Sequence, residues 1–197
     1  MRTQRFVLDT SAFTGISEKK KVIEGHIKKT INLIAKAKKK NISCYIPPSV
    51  WQELKKLLEG KKIKKSTIDK LDAWTIEKSP SRFELQVPAE FIYEYVGEVH
   101  ERFNRGLREA EKAVLQTHHK PETHANIIRE LRDKYRTAVR KGILDSKEDL
   151  DVLLLAKELK GGVVAADEGI LRWAKKWGIR YETAHTFTKM LAEYVKR

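Results

Sequence analysis

Residues 145–170 read DSKEDLDVLLLAKELKGGVVAADEGI, and this stretch decides the fold. Ser146 can cap a helix that begins at the next residue, and the apolar run after it continues that helix for about four turns. Residues 162–166 form a short apolar segment typical of a buried parallel strand. Asp167 and Glu168 then open another helix. This order of helix, strand and helix predicts an α/β fold with a mostly parallel central sheet.

The same alternation of strands and helices occurs in the rest of the chain. Residues 5–8, 42–46 and 179–183 are short segments that predict three further strands. Residues 83–87 alternate between apolar and polar, which predicts one strand more. Ser66, followed three residues later by an aspartate, is expected to cap a helix.

Residues 88–141 have a purely helical pattern. Apolar residues recur every three or four positions before and after a polar turn; in the first arm they are Ile92, Val96, Val99, Phe103, Leu107, Ala110 and Val114. We therefore expect a helical hairpin that protrudes from the α/β part, with a first arm of about 45 Å at about 1.5 Å per residue. The predicted domains are 1–87 with 142–197, and 88–141.

Carboxylates adjoin the ends of these predicted strands. Asp9 ends the first strand, Glu53 lies early in the helix after the second, and Asp167 and Glu168 end a later one. Because the carboxyl ends of parallel strands meet at one edge, we expect these acids to converge. Two carboxylates about 4 Å apart repel by roughly 4 kcal/mol, so such a cluster must be protonated or must bind a cation.

Asp145, Asp149 and Asp151 add three acids at the start of the helix that Ser146 opens. Asp145 and Asp149 share a helix face, whereas Asp151 is turned by about 200° from Asp149 and would act behind it. Asp149 has an alternative role as the acid that completes the cap.

Metal-assisted hydrolysis is the chemistry that these acids predict. One or two Mg²⁺ ions, or Mn²⁺, would activate a water without any nucleophilic side chain. The expected catalytic residues are Asp9, Asp145, Asp149, Asp151 and Asp167, and the expected metal ligands are Asp9, Glu53, Asp145, Asp149, Asp167 and Glu168. Thr10 and Ser11 could support Asp9, contact a phosphate, or simply form a turn.

The composition favours a nucleic-acid partner. The 41 Lys and Arg outnumber the 27 Asp and Glu, giving a net charge of +14, although a basic solvated surface would give the same count. The single cysteine, Cys44, excludes a disulfide framework. No apolar stretch is long enough for a signal or a membrane span, and we expect a cytoplasmic protein.

The order of the acids resembles that of the PIN-domain nucleases. The segments FVLDTSAFTG, DSKEDLDVLLLA and VAADEGI, with the hairpin between the two halves, resemble the bacterial and archaeal protein-only ribonuclease P family, the homologs of Aquifex ribonuclease P. This resemblance implies a three-layer α/β/α fold and removal of the 5′ leader from precursor tRNA without an RNA subunit. It implies a homo-oligomer built from dimers through the hairpin, such as a dodecamer, and a metal site formed by Asp9, Asp145, Asp149, Asp151, Asp167 and Glu168.

Two other functions are compatible with the pattern. A toxin-type PIN ribonuclease would cut tRNA or mRNA, but it would not need the long hairpin. A non-catalytic scaffold would bind RNA beside another enzyme, but it would have no reason to keep so many acids together.

Overall fold

The computed structural model describes residues 3–14, 20–117, 124–140, 144 and 146–196. The chain divides into two units. One unit contains residues 1–85 and 146–197, and the other contains residues 86–145.

The first unit is built on a parallel sheet. Within the described ranges the sheet has five strands in the order β3-β2-β1-β4-β5. They are β1 (Gln4–Leu8), β2 (Ile42–Ile46), β3 (Ile76–Glu77), β4 (Gly162–Val164) and β5 (Tyr181–Glu182). Each pairing among them is parallel, which confirms the predicted class. The order reverses at β1, so the crevice between the carboxyl ends of β1 and β4 is where a ligand is expected.

Helices cover both faces of this sheet. In chain order the helices of the structure are α1 (Ser11–Thr14), α2 (Lys20–Lys38), α3 (Pro48–Gly60), α4 (Lys65–Trp74), α5 (Ala89–Thr117), α6 (His124–Arg140), α7 (Lys147–Leu159), α8 (Glu168–Lys176) and α9 (Ala184–Lys196). Helix α2 packs against α4 and α9, whereas α7 packs against α3, α8 and β1. The result is the three-layer α/β/α arrangement. The core holds Phe6, Val7 and Leu8 of β1 and the buried run 152–156 of α7.

The second unit contains α5 and α6, which pack against each other. A Cβ at Gly106 would clash with the ring of Tyr135, so a larger residue at this position would force that ring to move. One row of α5 keeps large apolar side chains exposed by at least half: Ile92 56%, Val96 50%, Phe103 66%, Leu107 58% and Val114 61%. We call these five residues the apolar stripe.

Two local predictions are wrong. Residues 83–87 form no strand, because residues 82–84 turn and Phe83 is fully exposed; the sheet edge is β3 instead. Ser66 is not a cap, since α4 already begins at Lys65, with Lys64 at the cap position and no side-chain capping bond. In the parts of the chain that the structure describes, no helix is both long and apolar enough to cross a membrane.

Candidate active site at the carboxyl edge of the sheet

Asp9 lies directly after β1, in the crevice at the strand-order reversal. Its backbone N–H donates to the carbonyl of Val164 (2.9 Å), which continues the pairing of β1 with β4. The Asp9 side chain is only 7% exposed. Burial raises the pKa of this carboxyl group, and the nearby charge of Asp167 raises it further, while hydrogen bonds from Ser11 and Thr10 oppose the shift.

Ser11 connects the two central strands. Its hydroxyl donates to Oδ2 of Asp9 and accepts a hydrogen bond from the backbone N–H of Ala166 (2.7 Å). The backbone N–H of Ser11 also donates to Oδ2 of Asp9 (3.0 Å). Of the roles expected for Ser11, support of Asp9 is the one that the geometry favours, and this link brings Asp9 close to the residue that follows Ala166.

That residue is Asp167, which caps α8. Its Oδ1 accepts a hydrogen bond from the backbone N–H of Ile170 (3.0 Å). Asp167 and its neighbour Glu168 are both exposed, in the first turn of the helix. The N-terminal end of a helix carries a partial positive charge, which favours negative side chains at this position.

Glu53 reaches the same crevice from α3. The hydroxyl of Thr10 donates to Oε2 of Glu53 (3.2 Å). Since Thr10 follows Asp9 directly, this bond ties Glu53 to the turn that carries the buried acid. The structure thus places beside the central acids a glutamate that lies 44 positions from Asp9 in the sequence.

Asp149 lies at the start of α7. The side chain of Arg5, near the start of β1, donates to the carbonyl of Leu159 at the end of α7 (3.2 Å). Helix α7 therefore runs antiparallel to β1 and begins at the carboxyl edge. The backbone N–H of Asp149 donates to the hydroxyl of Ser146 (3.1 Å), as predicted for the cap. Asp145 lies outside the described residues.

Asp151 is held in a different way from the other acids. It is 3% exposed, and Arg82 binds both carboxylate oxygens, with Nε to Oδ1 at 2.9 Å and Nη2 to Oδ2 at 2.6 Å. The hydroxyl of Ser49 donates to Oδ2 as well (2.6 Å). These contacts occupy both oxygens of the Asp151 carboxylate. No local sequence pattern indicated Arg82 or Ser49 as its partners.

The donor chemistry fits a hard divalent cation. Carboxylate oxygens are suitable ligands, and a cation beside Asp9 would relieve the cost of ionising a buried acid next to Asp167. Over the part of the chain that is described, no three His, Cys, Asp or Glu side chains form a ready-made metal cage. Mg²⁺ does not require one, because it usually keeps several waters and binds one or two carboxylates together with substrate phosphates.

Acids at the carboxyl edge of a parallel α/β unit are typical of metal-dependent nucleases, and the comparisons with known proteins identify the family. Residues 5–196 match the PINc domain ribonuclease family. The chain is 43% identical to the RNA-free ribonuclease P of Methanocaldococcus jannaschii, over 100% of this chain and 94% of that protein. It is 44% identical to the RNA-free ribonuclease P of Archaeoglobus fulgidus and 42% identical to that of Haloarcula marismortui. In both cases the alignment covers 98% of this chain and 92% of the relative.

The chain belongs to the PIN superfamily and, within it, to the protein-only ribonuclease P family. This confirms the predicted family, and with it an endoribonuclease activity. Nucleases of the PIN superfamily generally depend on divalent metals.

Proposed function

We propose that this protein removes the 5′ leader from precursor tRNA by metal-dependent hydrolysis and without an RNA subunit. One observation carries the proposal: the relatives named RNA-free ribonuclease P align with 98% to 100% of the chain. The alignment therefore spans the hairpin as well as the unit that carries the acids. A plain PIN ribonuclease would account only for the latter.

The acids at the carboxyl edge have separate roles in this proposal. Asp9, Asp149 and Asp167 hold the cation together with Asp145, and Glu53 and Glu168 flank them; Asp151 keeps α7 in place. Mg²⁺ or Mn²⁺ held by these residues would supply an activated water and charge neutralisation for a hydrolysis that leaves a 5′-phosphate on the tRNA and a 3′-hydroxyl on the leader. Asp9 must be ionised for this purpose, although its burial opposes ionisation.

The unit of residues 86–145 serves assembly in this proposal. Its apolar stripe is exposed along a helix of 29 residues, and exposed apolar rows of this length are typical of protein interfaces. We assign residues 1–87 and 142–197 to the nuclease domain and 88–141 to a hairpin that joins subunits into dimers and larger homo-oligomers, and that helps to position the tRNA.

The lysine clusters provide the attraction for RNA. Residues 38–40 and four lysines among residues 61–65 are almost all exposed, and the chain has a net charge of +14. Lysine contacts with phosphates would make binding strongly dependent on salt. Recognition of folded RNA shape, more than of base sequence, is then expected.

A cleavage assay tests the proposal. Purified protein is incubated with 5′-labelled precursor tRNA in Mg²⁺ or in EDTA, and both product ends are mapped. We expect one intact leader and a tRNA with a 5′-phosphate, in Mg²⁺ only. Cleavage that persists in EDTA would refute the metal mechanism, and cuts confined to the anticodon loop would refute leader removal.

A further inference from the structure

Helix α7 holds the loop after β3 through two acids that lie two turns apart on one face. Near the end of the helix, Glu158 binds Nζ of Lys78 (2.7 Å) and accepts a hydrogen bond from the backbone N–H of Ser81 (2.8 Å). Near the start, Asp151 binds Arg82 through both carboxylate oxygens. The loop of residues 78–82 is therefore attached to α7 at two points.

The two attachments differ in burial and in geometry. Side chains of Lys78 and Glu158 are 37% and 20% exposed, and a lysine binds as a point charge. The Asp151 side chain is only 4% exposed, and the guanidinium of Arg82 meets it as a planar fork. If Arg82 were removed, the hydroxyl of Ser49 would be the remaining hydrogen-bond donor that the structure shows for the buried carboxylate of Asp151.

Asp151 is also the attachment that lies close to the catalytic acids. It follows Asp149 by two residues in the first turns of α7, whereas Glu158 is nine residues from Asp149, about 13 Å along the helix. A shift of the backbone at Asp151 must therefore move Asp149, while a shift at Glu158 need not.

We propose that Arg82 is a positioning residue for RNA cleavage, which acts through Asp151 to fix the first turns of α7 and hence the carboxylate of Asp149. This inference rests on the proposed function. Arg82 itself touches neither metal nor substrate in this role. Its side chain is 57% exposed, so the competing possibility is that it binds RNA directly, and the test must separate the two.

Kinetics on precursor tRNA separate them. Arg82→Ala should lower kcat by up to about 100-fold, the loss that a misplacement of about 1 Å can cause, with little change in KM or in RNA binding. Arg82→Lys, which keeps the charge but not the fork, should recover only part of the loss. Lys78→Ala is the matched control, because it removes the ion pair of the other attachment of the same loop, and its kcat should stay near wild type.

Coupling with Asp151 shows whether Arg82 acts through it. The double variant Arg82→Ala with Asp151→Asn should have a kcat no lower than the worse of the two single variants. Multiplicative losses in the double variant would overturn the proposal. A rise in KM with kcat unchanged would overturn it too, because it would assign Arg82 to RNA contact.

Hydrogen exchange of the metal-free protein gives a readout that is independent of activity. Arg82→Ala should speed amide exchange in residues 150–153, and Lys78→Ala should not. Equal exchange in both variants would refute the positioning role. If the wild type failed to cleave precursor tRNA, the proposed function would be wrong, and the exchange pattern would still decide whether Arg82 fixes the start of α7.

Discussion

Replacing Ser11 by alanine should remove the side-chain link between the segments that follow the two central strands, and it should destabilise the ionised form of Asp9. The substitution removes a hydroxyl that donates to Oδ2 of Asp9 and accepts from the backbone N–H of Ala166. A hydrogen bond to a charged group contributes about 1.5–3 kcal/mol and a neutral one about 0.5–1.5 kcal/mol. We therefore expect the free energy of unfolding at neutral pH to fall by about 2–4 kcal/mol. The Tm should fall by about 4–16 °C, since each kcal/mol shifts it by about 2–4 °C at this size.

The loss should depend on pH in a defined direction. Burial raises the pKa of Asp9 above 3.8 in the folded protein, so its ionisation lowers stability as the pH rises through the folded pKa. Without the Ser11 hydroxyl, which favours the charged form, this pKa should rise further. The stability gap between wild type and variant should then be larger at pH 7.5 than below pH 3.8, where Asp9 is protonated and both lost hydrogen bonds are bonds between neutral groups.

Thermal unfolding in EDTA and the pH profile of kcat/KM measure both effects. The acid limb of the Ser11→Ala profile should move to higher pH, because more of the enzyme carries a protonated Asp9. The control is Ser66→Ala, which removes an exposed hydroxyl that caps no helix. This variant should leave both the Tm and the acid limb of the pH profile unchanged. An equal stability gap at both pH values together with an unmoved limb would refute the reasoning.

Three further outcomes follow from the same geometry. Asp149→Asn should abolish cleavage but leave RNA binding nearly intact, because it removes the carboxylate charge and keeps the side-chain volume. Wild-type turnover by this variant would show that Asp149 serves only the helix cap. The control is Asp72→Asn, on the exposed side of α4. Replacing Lys61, Lys62, Lys64 and Lys65 by serine should reduce the slope of log affinity against log salt concentration by about 0.9 for each lost phosphate contact. An unchanged slope would mean that the RNA binds elsewhere on the protein. Replacing Phe103 and Leu107 of the apolar stripe by glutamate should reduce the mass of the assembly measured by light scattering. The control substitution Glu111→Lys should leave that mass unchanged.

The sequence predicted the segment from α7 to α8 closely because several local signals agree there. The sequence predicts a helix of about four turns after a cap at Ser146, and α7 runs over Lys147–Leu159 with Ser146 as its cap. Likewise β4 lies within two residues of the predicted bounds 162–166, and α8 opens at Asp167 and Glu168 as predicted. The helix cap, the apolar run and the strand end each restrict the conformation of the same few residues. Tertiary packing therefore changes the predicted structure little in this segment.

Signals were weaker where structure depends on distant partners. Strand β3 pairs through two residues at the sheet edge, which is too short for any periodicity. The alternating residues 83–87 look more like a strand, yet no strand of the sheet pairs with them. The hydrogen bond between Ser11 and Ala166 joins residues 155 positions apart, and that between Arg82 and Asp151 joins residues 69 positions apart. No local sequence pattern at either partner predicts these bonds.

The parallel topology itself explains how a strongly basic chain maintains an acidic site. Helices α3, α7 and α8 all begin at the carboxyl edge, and each N-terminus contributes about half a positive charge, so that together they offset about half of the charge of three ionised acids. Basic residues lie instead in the last turns of α2, α7 and α8, at the opposite edge. The remaining charge of Asp9, Asp149 and Asp167 is about −1.5. Glu53 and Glu168 add to this negative charge, which is why the site would need a divalent cation before it could accept a phosphate of the RNA backbone.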